Sequence, residues 1–215
     1  MPDVLIRKLE NYLALGELEK RALQQAEIVA RDVDARQDIV SQNQPFEGAT
    51  LLLDGFACRY KLLPDGRRQI IAYMVPGDMC DPRLFLLDRM DHSIASLSRA
   101  QIAIWPRKSL LGLTALYPRI TRALWWSALV DEGIAREWLV SLGQRTALER
   151  LAHLVCELYF RLRAVGRVFA DGFDFPVTQA EIGDTLGLSA VHVNRTLQDM
   201  GASGSSGWPG GASRY

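Results

Sequence analysis

Histidine is scarce in this sequence, with three residues among 215. His92, His153 and His192 are far apart in the chain and form neither an HxH nor an HExxH pattern, which are the spacings typical of metal sites. The sequence also lacks a GxSxG, a P-loop and a GxGxxG motif. We therefore expect no catalytic residue, no metal site and no enzyme activity. A metal-dependent cupin-type enzyme would need clustered histidines.

Cysteine is equally scarce. Cys58, Cys80 and Cys156 are widely separated and form no CxxC pair, so the spacing predicts neither a zinc nor an iron–sulfur site. We expect buried or half-buried thiols in a reducing compartment. A redox role for one of the three remains the alternative.

The chain has no apolar run of the roughly 18 residues that a membrane-spanning helix needs, and charges interrupt its N-terminal segment. We therefore expect a cytoplasmic protein without a membrane partner. Net charge is also absent, since 25 basic residues balance 25 acidic ones. That balance counts against a basic nucleic-acid-binding domain, but a few well-placed cations on a dimer suffice to bind DNA.

Short apolar runs separated by turn residues are present over residues 27–107, after one or two short amphipathic helices in residues 3–26. The pattern predicts a β-sandwich or barrel. The predicted strands are Ile39–Val40, Thr50–Leu53, Phe56–Leu63, Gln69–Val75, Ile94–Leu97 and Gln101–Trp105. Asp65-Gly66 predicts a hairpin with a type I′ turn, since both residues tolerate positive φ.

Helical periodicity follows from residue 109 to about residue 166. The stretch 117–142 is long for a globular helix and predicts a dimer seam between two copies of the chain. The alternative is an ordinary core helix packed on the β domain. The predicted interface residues are Leu124, Trp125, Leu129, Ile134, Trp138 and Leu142. A second amphipathic helix is predicted over Thr146–Val165.

The segment from Thr178 to Met200 has every local feature of a helix-turn-helix. Thr178 and Glu181 match a capping box, Gly187 permits a tight turn, and Ser189 is suited to cap the second helix. Apolar residues at i, i+4 and i+7 of the second helix give it a buried side. A plain helical hairpin is the alternative to a DNA-binding motif.

In such a motif the second helix enters the major groove of DNA. Arg195 is the strongest candidate for base contact, because a guanidinium can donate two hydrogen bonds to guanine. Caps and helix N-termini are suited to phosphates. The predicted DNA-binding residues are Thr178, Gln179, Ser189, Ala190, Val191, His192, Asn194, Arg195 and Gln198.

The order of these parts resembles the Crp/Fnr family of bacterial transcription regulators. The resemblance is carried by Leu53-Asp54-Gly55, Pro64-Asp65-Gly66, Val75-Pro76-Gly77-Asp78 and the motif at 178–197. It implies an α+β fold with an N-terminal antiparallel β-roll of jelly-roll type (1–115) that senses a signal. A dimerisation helix (116–143) and a winged-helix type helix-turn-helix domain (144–200) complete the implied architecture.

The predicted effector pocket departs from the cyclic-AMP-binding members of that family. Where they have a Gly-Glu pair and an Arg-Ser pair, this chain has Asp81-Pro82 and His92-Ser93. A mostly neutral histidine cannot form the bidentate hydrogen bonds that arginine forms with phosphate. We expect no cofactor, poor cyclic-nucleotide binding and an unknown effector. No N-terminal cysteine cluster supports an oxygen-sensing iron–sulfur centre. The pocket candidates are Asp81, Pro82, Arg83, His92 and Ser93.

The residues after Met200 are rich in glycine and serine, and we expect 201–215 to be a flexible tail. The family's β-hairpin wing would then be missing, and the recognition helix would end about one turn early. The predicted function is a homodimeric regulator of double-stranded DNA, with RNA polymerase as a further candidate partner. The alternative is a β-roll sensory or interaction dimer with impaired DNA binding.

Overall fold

The computed structural model describes residues 3–45, 47–80, 89–170 and 172–202. These residues form an N-terminal helical pair, a β-roll and a C-terminal helical region. The strands are β1 (Val29–Val33), β2 (Asp38–Val40), β3 (Gly48–Asp54), β4 (Ala57–Leu62), β5 (Arg68–Met74), β6 (Met79–Cys80), β7 (Ser93–Ser96) and β8 (Ala100–Pro106). The helices are α1 (Asp3–Glu10), α2 (Glu17–Gln24), α3 (Arg107–Leu116), α4 (Pro118–Gln144), α5 (Ala147–Ala164), α6 (Gln179–Leu186) and α7 (Ala190–Ala202).

Two antiparallel four-stranded sheets form the β-roll, with strand orders β1-β8-β3-β6 and β2-β7-β4-β5. The α+β fold is thereby confirmed, and so are the six predicted strands. Strands β1 and β6 were not predicted. Strand β1 lies at a sheet edge and buries only Val33 fully, and β6 has two residues, so neither leaves a clear alternating pattern.

The predicted hairpin is present, but its turn is not type I′. Strands β4 and β5 pair directly, and the Leu63 carbonyl accepts the Gly66 amide at 2.9 Å. Gly66 has a φ of +86°, whereas Asp65 has no positive φ. Pro64 locks its own φ near −65°, which favours a three-residue loop closed by a left-handed glycine.

The Val75-Pro76-Gly77-Asp78 motif forms a sharp corner beneath α1. Gly77 has a φ of +91°, and a Cβ there would lie 2.9 Å from the Val4 carbonyl oxygen. The Asp78 carboxylate accepts the Val75 amide at 2.8 Å and the Lys8 ammonium at 2.6 Å, and it also pairs with Arg161 of α5. One buried carboxylate therefore joins α1, the β-roll and α5.

Apolar packing continues from the β-roll into the C-terminal helices. One cluster fills the space between the sheets and includes α1, α3 and the start of α4. The other joins the outer side of β4 and β5, through Tyr60 and Tyr73, to Trp138, Leu158 and Ile182. The helix-turn-helix is therefore packed against the β-roll. None of the helices in the described ranges is long and apolar enough to cross a membrane.

Candidate nucleic-acid interface

Helix α6 begins at the predicted capping box. The Thr178 hydroxyl accepts the Glu181 amide at 3.2 Å, and the Glu181 carboxylate accepts the Thr178 amide at 2.7 Å. Arg36 of the β-roll lies 3.2 Å from the other Glu181 oxygen. Because the reciprocal bonds satisfy amides that a helix start leaves without partners, α6 begins at a defined residue.

The turn between α6 and α7 depends on two glycines. Gly187 has a φ of +67° and donates its amide to the Gly183 carbonyl, as the predicted tight turn requires. Gly183 was not predicted as a motif residue. A Cβ on Gly183 would lie 2.5 Å from the Leu188 carbonyl oxygen, so the two backbones approach closely there. A glycine inside a helix, which costs stability, was the available sequence signal.

Helix α7 is anchored on its inner side. The Ser189 hydroxyl accepts the His192 amide at 3.2 Å, which confirms the predicted cap. Val193, Thr196 and Met200 are buried, and Leu197 is half-buried. The helix continues through Gly201 to Ala202, two residues beyond the predicted end of the motif at Met200. The remainder of the predicted tail, 203–215, lies outside the described residues.

The outer side of the motif carries the predicted DNA-binding residues, which we call the recognition surface. Gln179 and His192 are half-buried and the others are exposed, with Val191 exposed by 81%. The exposed members are Thr178, Ser189, Ala190, Val191, Asn194, Arg195 and Gln198. The Asn194 amide nitrogen donates to the Gln179 side-chain oxygen at 3.3 Å, which ties α7 to the start of α6.

The β-roll contacts a different side of α6. Arg68 lies 2.8 Å from Asp184, and the Gln69 amide donates to the Thr185 carbonyl at 3.1 Å. The Tyr73 hydroxyl lies 2.6 Å from the Thr185 hydroxyl. Because these contacts use the side of α6 away from the recognition surface, packing on the β-roll leaves that surface exposed.

The predicted effector residues are only partly within the described chain. Asp81, Pro82 and Arg83 lie outside it. His92 and Ser93 are buried, and the Ser93 hydroxyl accepts the Gln42 amide at 2.9 Å. His92 contacts Cys80 and Asp91 through its two ring nitrogens. Among the described residues, no group of three or more histidine, cysteine or acidic side chains is placed to hold a metal ion.

The predicted dimer seam needs correction. Leu124 and Trp138 are buried in the chain's own apolar clusters, so these two residues do not form a free surface. Ile134 and Leu142 are half-buried, while Trp125 and Leu129 are exposed. An α-helix turns about 100° per residue, so the predicted set spanned two sides of α4 rather than one. The core-helix alternative therefore describes one side of α4.

The exposed side of α4 is itself apolar. We call Trp125, Leu129 and Leu139, with Trp126 and Val140 beside them, the α4 apolar face. The predicted interface set omitted Trp126, Leu139 and Val140, since periodicity alone does not say which side of an apolar helix is covered. A Glu132–Arg136 ion pair of 2.9 Å lies on the same side.

Two family models match the chain. A cyclic nucleotide-binding domain matches residues 30–117, and a Crp-like helix-turn-helix domain matches residues 149–205. A probable transcriptional activator of Rhizobium leguminosarum bv. viciae is 30% identical over 183 residues, covering 85% of this chain and 72% of the relative. The nitrogen fixation regulation protein FixK of Bradyrhizobium diazoefficiens is 30% identical over 149 residues, covering 69% of this chain and 62% of the relative.

Solved structures agree with the sequence comparison. FixK2 from Bradyrhizobium japonicum superimposes with a TM-score of 0.74 at 27% identity, covering 83% of this chain and 86% of that one. The motif, its exposed recognition surface and these relatives lead to the same assignment. This chain belongs to the Crp/Fnr family of transcription regulators and is a DNA-binding helix-turn-helix protein.

Proposed function

We propose that this protein acts as a homodimer that binds a two-fold symmetric DNA site, with α7 of each protomer in the major groove. The single observation that carries the proposal is the recognition surface. It stays exposed, while α6 and α7 are held in place by contacts on their opposite sides. Two such helices would contact half-sites about 34 Å apart. Because chromosomal DNA is the target, the proposal places the protein in the bacterial cytoplasm.

The α4 apolar face supports the dimer. Large apolar side chains that remain exposed at helical spacing are typical of a protein interface. Trp125 and Leu129 are 59% and 58% exposed, and Leu139 is 71% exposed. A second copy of the chain, with α4 packed on α4, would cover all three. RNA polymerase stays a candidate partner.

Within the recognition surface, we propose that Arg195 contacts bases and that Thr178, Gln179 and Ser189 contact phosphates. Arg195 lies on the exposed side of α7 and is the residue there whose side chain can bind guanine bidentately. Ala190 and Val191 can offer only apolar contact, as with a thymine methyl group. Specificity would therefore depend heavily on Arg195, with His192, Asn194 and Gln198 as further polar contacts.

DNA selection tests this function. Genomic fragments would be selected on the purified protein, and affinity for an enriched fragment measured across a salt series. Arg195→Ala should weaken specific binding by about 1–3 kcal/mol, or roughly 5- to 150-fold in Kd. Arg67→Ala is the matched control, because Arg67 is an exposed cation that pairs with Asp65 of its own β4–β5 hairpin and is not part of the recognition surface. Equal losses in both variants would contradict the proposal.

The second candidate function is a β-roll sensory or interaction dimer with impaired DNA binding. The observation that favours it is the apolar start of α7, where Ala190 and Val191 are exposed. Selection that enriches no fragment, together with an intact dimer, would support this candidate over the first.

We further propose that cyclic nucleotides are not the effector. His92 and Ser93, the described members of the predicted pocket, are buried, and they bond to Cys80, Asp91 and Gln42 within the protein. A phosphate would have to displace those contacts. Titration calorimetry with cyclic AMP should show no binding in the micromolar range, and micromolar affinity would overturn this part of the proposal.

A further inference from the structure

A buried thiol and a buried imidazole lie side by side in the β-roll. Cys80 ends β6 and His92 directly precedes β7, and their exposed fractions are 1% and 4%. The Cys80 sulfur lies 3.3 Å from His92 Nε2. On the far side of the ring, His92 Nδ1 lies 2.7 Å from the Asp91 carboxylate. The three side chains form a continuous thiol–imidazole–carboxylate series.

Asp91 determines which nitrogen of His92 carries the proton. Burial raises the pKa of Asp91, but the hydrogen bond and charge of His92 outweigh that effect and lower it overall, so the carboxylate stays ionised. An ionised carboxylate only accepts hydrogen bonds, so Nδ1 of His92 donates to it. Nε2 is then the acceptor in the neutral ring and faces the thiol of Cys80. This order of groups is the one that activates nucleophiles in proteins.

The other two cysteines have different surroundings and serve as internal references. Cys58 is buried in the second apolar cluster, and burial raises its pKa to about 12. Cys156 lies on α5 and is exposed. Burial in apolar surroundings makes a thiol inert, whereas an exposed thiol has ordinary reactivity. Neither surrounding matches that of Cys80.

We propose that Cys80 is a reactive thiol activated by His92 and that small hydroperoxides oxidise it. In the reaction the Sγ–H proton passes to His92 Nε2, and the sulfur attacks the terminal oxygen of the hydroperoxide. The O–O bond breaks, and the leaving hydroxide, or the alkoxide of an organic hydroperoxide, takes the proton from His92 to become water or an alcohol. Sulfur loses two electrons and becomes a sulfenic acid, while the peroxide gains them.

The burial of Cys80 limits the oxidant to a small molecule. Asp91 has a side chain that is 61% exposed, so the carboxylate end of the series is open to water while the sulfur is enclosed. Cys80 also pairs with Thr50 of β3, so an added oxygen would crowd a closely packed strand. Oxidation of Cys80 can therefore change the packing of the β-roll. The inference that this oxidation serves as a regulatory signal rests on the proposed DNA-binding function.

Competitive labelling tests the chemistry directly. The folded full chain would be treated with hydrogen peroxide and then unfolded in denaturant that contains dimedone, so that dimedone reaches every sulfur, and the labelled cysteines would be quantified by mass spectrometry. Cys80 should be labelled at least tenfold faster than Cys58 and also faster than the exposed Cys156. Faster labelling of Cys156 would overturn the proposal.

Two variants separate activation from simple accessibility. His92→Gln should slow labelling of Cys80 at least tenfold, and His153→Gln, which changes a half-buried histidine on α5, should leave it unchanged. Asp91→Asn changes an exposed side chain and should also slow labelling, which keeps the test valid if His92→Gln fails to fold. Unchanged rates in folded His92→Gln or in Asp91→Asn would overturn the role of His92.

A separate measurement of DNA affinity tests whether oxidation of Cys80 regulates DNA binding. Peroxide should lower affinity for the selected fragment, dithiothreitol should restore it, and Cys80→Ser should be insensitive. Unchanged affinity after complete labelling would overturn the regulatory use while leaving the thiol chemistry supported. If neither the reduced nor the oxidised protein binds DNA, that result would count against the proposed function alone, since labelling is measured without DNA.

Discussion

Tyr73 on β5 donates a hydrogen bond to the Thr185 hydroxyl on α6 over 2.6 Å. The direction follows from Thr185, whose own proton is donated to the Glu181 carbonyl at 2.8 Å. Burial raises the pKa of Tyr73, so its phenol stays protonated and remains a donor. This buried bond attaches the helix-turn-helix to the β-roll directly, and an adjacent Arg68–Asp184 ion pair of 2.8 Å supports it.

Removing this bond should destabilise the protein measurably. Tyr73→Phe should lower the free energy of unfolding by about 1 kcal/mol, and Thr185→Val by about 1–3 kcal/mol because it leaves the phenol without its acceptor. The double variant should cost less than the sum by at least roughly 0.5 kcal/mol, measured by urea unfolding. As a control, Tyr73→Phe combined with Thr114→Val on the distant α3 should be additive.

Asp78 should make stability sensitive to acid. Burial alone would raise its pKa, but Arg161 and Lys8 outweigh burial and lower it from 3.8 to about 2. A carboxyl with a lower pKa in the folded state stabilises the protein above its unfolded pKa. That contribution is lost as the pH falls through the folded value. Urea unfolding should therefore show stability declining between about pH 4 and pH 2.

Asp78→Asn should remove that part of the acid dependence. It should also lower the free energy of unfolding near neutral pH by about 3–5 kcal/mol, since Lys8 would be left buried without its counter-charge and Arg161 would keep only its ion pair with Glu157. Asp65→Asn is the control, because Asp65 is half-exposed on the β4–β5 hairpin. An unchanged slope between pH 4 and pH 2 in Asp78→Asn would contradict the role of this carboxylate.

Gly183 should tolerate no branched side chain. A Cβ there would lie 2.5 Å from the Leu188 carbonyl oxygen, so Gly183→Val should force α7 away from α6. We expect a loss of about 2 kcal/mol or more in stability and at least tenfold weaker DNA binding. Gly143→Val is the matched helical control, since nothing lies within 4 Å of a Cβ at that position of α4. Similar losses in both variants would show that helix propensity, not the close approach, is responsible.

The α4 apolar face should control oligomeric state. Trp125→Glu combined with Leu129→Glu should convert a dimer into monomers, because two charges would be buried in each copy of the seam. Sedimentation velocity would report the change. Leu62→Glu is the control and should leave the dimer intact, because Leu62 is an exposed apolar residue on β4. A variant at Trp125 and Leu129 that sediments like the parent chain would rule out this face.

Local features were predictable from sequence because short-range chemistry decides them. The capping box of Thr178 and Glu181, the left-handed Gly187 and the Ser189 cap each depend on side chains within three or four residues. Six strands of the β-roll were predictable for the same reason, since alternation of apolar residues is local. Edge strand β1 and the two-residue β6 were not, because partner strands rather than their own composition define them.

Contacts between distant segments were beyond sequence reasoning. Nothing in the periodicity of α4 distinguishes Trp125, which is exposed, from Leu124, which is buried in the β-roll core. The Cys80–His92 pair also joins residues that no motif connects. In both cases the packing of other elements decides the outcome, and single-segment patterns do not contain that information.

By itself, the sequence predicted the helix-turn-helix and six of the strands, because capping, turn and periodicity signals are encoded within each segment, and its motifs resembled those of the Crp/Fnr family. Only the tertiary structure decided which side of α4 is left uncovered, which side of α6 contacts the β-roll, and that Cys80 lies against a histidine held by Asp91. Those outcomes depend on residues 12 to more than 100 positions apart. Their proximity comes from burying apolar surface across the whole chain.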